Sequence, residues 1–134
     1  MSEDNVAFIR GLYEAFNRGD VDAVLAGFAD DIEWVEPEGL PYDSQNSAKG
    51  VAEGVFARVT SDIDGFSVTP EEFYAGGDEV IAIARYRGTG SQTGKPFDLQ
   101  GAHAWTVRDG KAVRFREFSD TVVFSSVIGA EAAV

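Results

Sequence analysis

Apolar residues first recur at helical spacing. Val6, Ile9, Tyr13 and Phe16 stand three and four apart, and Phe8 and Leu12 widen the stripe. This predicts a helix that opens at Ser2, carries Glu3 and Asp4 in its first turn, and stops at Asn17-Arg18-Gly19. Asp20 caps a second, shorter helix whose Val21, Val24, Leu25 and Phe28 face inward. After Asp30-Asp31 the period changes to two, so Ile32, Trp34 and Glu36 share one face of a strand that Pro37 ends. Residues 38–47 read as a polar loop. A third helix runs from about Val51 to Thr60 on Val51, Val55, Phe56 and Val59, weakened by Gly54.

The rest of the chain alternates as strands do. Residues 61–65 are a connector, Phe66 to Tyr74 a strand with Pro70 within it, and Val80 to Arg87 a clear strand. In the latter, Ile81, Ile83, Arg85 and Arg87 oppose Val80, Ala82, Ala84 and Tyr86, and the pattern leaves open which face is concave. A glycine-rich loop at 88–96 leads into a long hairpin from Phe97 to Asp120, turned at Asp109-Gly110. Phe97, Leu99, Gly101, His103, Trp105 and Val107 share one face of its first arm. In the second arm Val113 and Phe115 favour one face and Phe118 the other, which predicts a bulge near Arg116. An apolar tail at 122–128, helical or strand-like, precedes a small-residue end. Helices followed by strands predict a single α+β domain over residues 1–134, with a helix layer on a curved, mostly antiparallel sheet.

Composition narrows the partners. The 134 residues carry 23 acidic and 11 basic side chains, a net charge of -12, which disfavours nucleic acid and anionic membrane surfaces. With 44 % hydrophobic residues and ten Phe, the chain has ample material for a core. The absence of cysteine removes disulfides, thiolate nucleophiles and Cys-metal sites, and a lone histidine makes a zinc site unexpected. An acidic N-terminus argues against a signal peptide, and no apolar run approaches the roughly 18 residues of a membrane span. A cytoplasmic protein without metal or cofactor is the expectation.

Candidate chemistry concentrates in three places. His103 lies mid-strand on an apolar face and is either a proton shuttle or a core histidine bonded to a neighbour. Glu36 shares a face with Ile32 and Trp34, so it is either a base with a raised pKa or a strand-end carboxylate reaching solvent or an arginine. Asp120 is either the acid/base partner of His103 on the adjacent strand or the cap of the tail beginning at Thr121. Arg85, alternating with Ile81 and Ile83, is the arginine placed to enter a pocket. Trp34, Trp105, Tyr13, Phe16 and Phe56 are expected as core or pocket wall.

Several phrases together resemble the SnoaL-like branch of the nuclear-transport-factor-2-like superfamily. They are Tyr13-Glu-Ala-Phe-Asn-Arg-Gly-Asp20, Phe28-Ala-Asp-Asp-Ile-Glu-Trp34, Lys49-Gly50, Asp109-Gly110-Lys111 and Phe115-Arg-Glu-Phe-Ser-Asp120. The resemblance implies a cone-shaped sheet with an apolar pocket and a homodimer formed through the sheet. It also implies Glu36 at the catalytic-base position of ketosteroid isomerases, with His103 at the place of their oxyanion-hole aspartate. The isomerase tyrosine falls on Leu12. Asp120 matches the aspartate of polyketide cyclases and limonene-epoxide hydrolases; Arg85 fits the hydrolase arginine, but Arg87 reverses the charge of its partner. The activity implied is that of a small cofactor-independent isomerase, cyclase or hydratase, with Asp120, His103 and Glu36 acting on an apolar carbonyl compound. The alternative is a non-catalytic ligand-binding or dimerisation module of the same fold.

Overall fold

The two strands with the clearest alternation lie at the heart of the sheet. β1 (Phe28–Val35), β2 (Ile63–Gly76), β3 (Glu79–Gly90), β4 (Pro96–Arg108) and β5 (Lys111–Phe118) form one curved open sheet in the order β1-β5-β4-β3-β2. The computed structural model describes residues 2–129, so the small-residue end lies outside the described residues. β2–β3, β3–β4 and β4–β5 pair antiparallel, while β1 joins the edge parallel to β5. Val80, Ala82, Ala84 and Tyr86 of β3 are buried, as are Phe97, His103, Trp105 and Val107 of β4, so these residues mark the concave face. Arg85 therefore points outward.

Helices α1 (Ser2–Asn17) and α2 (Val21–Ala26) cover that face, with Ile9, Leu12, Tyr13 and Val24 buried against it. The break between them follows the chemistry of its residues. Gly19 takes a φ of +79°, which glycine adopts at little cost. Asp20 then accepts a hydrogen bond from the Ala23 N–H at 3.1 Å. Asn17 fastens the end of α1 to β2: its amide donates to the Val68 carbonyl at 2.8 Å and accepts from the Val68 N–H at 2.9 Å. Phe28 opens β1 rather than closing α2, and β2 begins at Ile63, inside the expected connector.

The third helix is composite. α3 (Ala48–Val51), a π-helical segment (Ala52–Phe56) and α4 (Ala57–Asp62) run on without a break. Ser47 caps its start by accepting from the Gly50 N–H at 3.0 Å. Gly50 and Gly54 are not weak points there. A Cβ on Gly50 would stand 2.5 Å from Oε1 of Gln45, and one on Gly54 2.6 Å from its Nε2, so both glycines make room for the Gln45 amide. The tail is α5 (Thr121–Ile128), which buries Phe124, Val127 and Ile128. No helix among the described residues is long and apolar enough to cross a membrane.

Candidate active site

A cavity of about 70 Å³ opens between the concave face and the helices, room for the centres of several waters. Its wall is mostly aromatic and aliphatic, with Phe16, Phe28, Trp34, Phe56, Trp105 and Phe115 among its members. Into this hydrocarbon surface project Glu36, Glu117, His103, Tyr13 and Tyr86. They arrive from α1, the end of β1, and β3, β4 and β5.

Register explains why the two glutamates meet. β1 and β5 pair in parallel with Trp34 opposite Phe115 and Val35 opposite Arg116, so the next positions on the two strands are Glu36 and Glu117. Trp34 and Phe115 stack with ring centroids 3.7 Å apart, and two residues on, the alternation turns both glutamates to the same concave side. On the other edge of β5, Glu117 pairs with His103 of β4.

His103 is buried and held at both ring nitrogens. The Tyr13 hydroxyl lies 2.6 Å from Nδ1 and the Tyr86 hydroxyl 2.5 Å from Nε2, while the Trp105 indole N–H donates to the Tyr13 oxygen at 2.9 Å. Burial drives the His103 pKa down from 6.5 to about 3, so the ring is neutral at physiological pH. Burial also raises both tyrosines well above the usual phenol range, which keeps them as O–H donors.

The glutamates shift the other way. Burial raises Glu36 from 4.5 to about 8, the Glu117 charge adds to the rise, and the Trp34 indole N–H, donating at 2.8 Å, opposes it. Burial raises Glu117 from 4.5 to about 7, opposed by the Ser119 hydroxyl, which donates at 3.0 Å, and by the neighbouring Tyr86 hydroxyl. Glu117 is half-buried as a residue, with its carboxyl at the cavity wall beside Tyr86. Two carboxyls that act on one another titrate as a pair, so the charge on one holds the proton on the other. Such an arrangement offers an acid and a base on the wall of one largely apolar cavity.

The expected site is thus partly assembled and partly rearranged. Glu36, His103, Trp34, Trp105, Tyr13, Phe16 and Phe56 all line the cavity. Asp120 does not. Its exposed carboxylate caps α5, accepting from the Val122 and Val123 N–H groups at 3.1 Å each, and the neighbour of His103 across the strands is Glu117. Arg85 is on the outer face, 2.7 Å from Asp98 and 3.2 Å from Glu71. His103 is no neutral-pH shuttle, because burial denies it the second proton. Leu12 occupies the cavity wall at the expected tyrosine position, but the hydroxyl comes from Tyr13, one residue on.

The bulge in β5 lies nearer the turn than expected. Val107 pairs with Ala112 but Thr106 with Arg114, so Val113 is the extra residue, and the alternation restarted there carries Phe115 and Glu117 inward. Glu117 and Tyr86 are the polar cavity side chains that the pattern of the chain did not single out. Among the described residues, no group of three His, Cys, Asp or Glu side chains stands together to hold a metal ion.

Comparison with known proteins agrees with the architecture. A family model described as a SnoaL-like domain matches residues 9–115. A search of curated proteins found no match. An NTF2-like protein from Burkholderia thailandensis is similar at 34 % identity, covering 92 % of this chain and 96 % of that one, with a TM-score of 0.86. TerC, co-crystallised with polyporic acid, is 32 % identical over 93 % of this chain and 98 % of its own, with a TM-score of 0.84. IdmH from Streptomyces antibioticus, a candidate polyketide cyclase, is 27 % identical over 93 % and 98 %, with a TM-score of 0.78. With the cavity, the curved sheet and a family match over most of its length, the chain belongs to the SnoaL-like family of NTF2-like proteins.

Proposed function

We propose that the protein is a cofactor-independent acid/base enzyme of the polyketide-cyclase type, acting on a planar, largely apolar carbonyl compound. The observation behind this reading is the meeting of Glu36 and Glu117 in a cavity otherwise walled by aromatic and aliphatic side chains. IdmH, similar at 27 % identity and a candidate polyketide cyclase, supports the same reaction class. One carboxylate takes the proton from a carbon beside the carbonyl, and the C–H electron pair moves into the enolate. The carboxylic acid of the other glutamate gives its proton to the oxygen, so charge does not build up in the largely apolar cavity. His103 stays neutral throughout and anchors Tyr13 and Tyr86.

Proton–deuterium exchange tests this directly. Aromatic methyl ketones and 1,3-diketones in heavy water are followed by NMR for exchange at the carbon beside the carbonyl. Wild-type protein is expected to speed that exchange, and Glu36→Gln and Glu117→Gln each to abolish most of the gain. General acid–base groups are commonly worth about 10²–10⁴-fold. Saturable binding of these ketones with background exchange would instead establish a ligand-binding module.

A further inference from the structure

From Trp105 to Tyr86 the polar side chains form an unbroken series across two strands and a helix, and its far end shares the cavity wall with Glu117. Trp105 N–H meets the Tyr13 oxygen at 2.9 Å, Tyr13 meets His103 Nδ1 at 2.6 Å, and His103 Nε2 meets Tyr86 at 2.5 Å. Tyr86 in turn acts on the carboxyl of Glu117. Every member is buried except half-buried Glu117, and the series gives each O–H and N–H an acceptor inside the protein.

We infer that the Trp105 indole sets the direction of this proton-ordered chain, which ends as a donated hydrogen bond on Glu117 and makes Glu117 the base and Glu36 the acid of the pair. An indole nitrogen donates and never accepts. The Tyr13 oxygen must therefore accept from Trp105, and its own proton has His103 Nδ1 as its nearest acceptor. A neutral imidazole whose Nδ1 accepts carries its hydrogen on Nε2. That N–H donates to the Tyr86 oxygen, so the Tyr86 hydrogen is left for Glu117.

The opposite order fails at its first step. With the hydrogen on Nδ1, the Tyr13 oxygen would accept from both Trp105 and His103, leaving its own O–H without an acceptor among the described side chains. Tyr86 would also turn its hydrogen to Nε2 and away from Glu117. In the favoured order the Tyr86 hydrogen is free to turn to Glu117, which already accepts from Ser119 at 3.0 Å, whereas Glu36 accepts from Trp34 alone at 2.8 Å. The better-solvated carboxyl ionises first, and its charge keeps the proton on its neighbour. Trp105 is thus a positioning residue: it acts on the base through three side chains. The base assignment rests on the enolising chemistry proposed above, but the order of the chain does not.

The chain has one histidine, so its ring nitrogens can be read without ambiguity by long-range ¹H–¹⁵N NMR of ¹⁵N-histidine-labelled protein. Wild type is expected to show a neutral ring with hydrogen on Nε2 and a bare Nδ1 between about pH 5 and pH 8. Trp105→Phe should give a mixture with hydrogen on Nδ1, and should move the Glu117 side-chain ¹³C titration to higher pH. Benzothienylalanine at position 105 repeats the test while keeping the shape of indole without its N–H, should Trp105→Phe not fold. A wild-type ring with its hydrogen on Nδ1, or a pure Nε2–H ring after both replacements, would overturn the inference. An ordered chain in a protein that exchanges no ketone proton would leave the order standing and remove the base assignment with the enzyme reading.

Discussion

Replacing Glu36 by Gln removes a carboxyl that folding drives away from ionisation. Burial is the main cause, the Glu117 charge the second, and the Trp34 hydrogen bond opposes both, leaving Glu36 at about 8 against an ordinary 4.5. Between those values the folded chain keeps a proton that the unfolded chain releases. Stability therefore falls as pH rises through this window, and the full penalty stands above it. Each pH unit is worth about 1.4 kcal/mol, so the ceiling is roughly 5 kcal/mol. The two glutamates share that penalty, and about half of it, roughly 2–3 kcal/mol, disappears with Glu36 alone. For a domain of this size roughly 3–5 °C accompanies each kcal/mol. The Tm of Glu36→Gln should accordingly match wild type near about pH 5 and exceed it by about 10 °C near about pH 9. Thermal unfolding followed by circular dichroism at constant ionic strength measures both. The acid-side penalty of His103 and the self-repulsion of a -12 chain are common to the two proteins and cancel in the difference. A gap that stays constant across the range would refute the raised pKa of Glu36.

Other substitutions separate the roles assigned above. Asp120→Ala removes the cap of α5 and should cost about 1 kcal/mol in denaturant unfolding, with ketone exchange unchanged; a loss of exchange would return Asp120 to the site. Tyr13→Phe leaves the Trp105 N–H and His103 Nδ1 unpartnered, which should cost about 1–3 kcal/mol by the same measurement. Gly90→Ala drives a Cβ onto the Val127 carbonyl oxygen, an atom of the α5 backbone. It should destabilise by about 1–3 kcal/mol and raise hydrogen exchange in α5 above that in β4. Arg85→Ala should leave the affinity for ketones unaltered in a fluorescence titration, because Arg85 faces Glu71 and Asp98 outside the cavity.

Much of this arrangement was legible in the chain because period and face are local properties. The alternation from Phe97 to Val107 turned His103 and Trp105 inward, and that of Ile32, Trp34 and Glu36 did the same for Glu36. Glu117 was hidden by a single residue. A bulge at Val113 reverses the parity of everything after it, and apolar residues on both sides of β5 do not say where parity changes. Asp120 shared its signal with a capping residue, and capping won because α5 begins at Thr121. Tyr86 stood out only once Val80, Ala82 and Ala84 proved to be the concave side. The meeting of Glu36 with Glu117 depends on a parallel pairing between strands some 80 residues apart in the chain, which no local pattern encodes.

The π-helical segment from Ala52 to Phe56 carries two cavity residues, Val55 and Phe56, on a wider turn than an α-helix allows. Such a turn holds one residue more than the regular helix, so it can be gained or lost by a single-codon change. Deleting one residue there would close the wide turn to a regular one and keep the helix on either side in phase. The part of the wall built by Val55 and Phe56 would then be remade, while Val59 keeps its face. A new cavity shape would arise at one stroke, with Glu36, Glu117 and the tyrosine–histidine series left where they are. Within this fold, the length of one helix is a dial for cavity shape that is mechanically separate from the paired carboxyls.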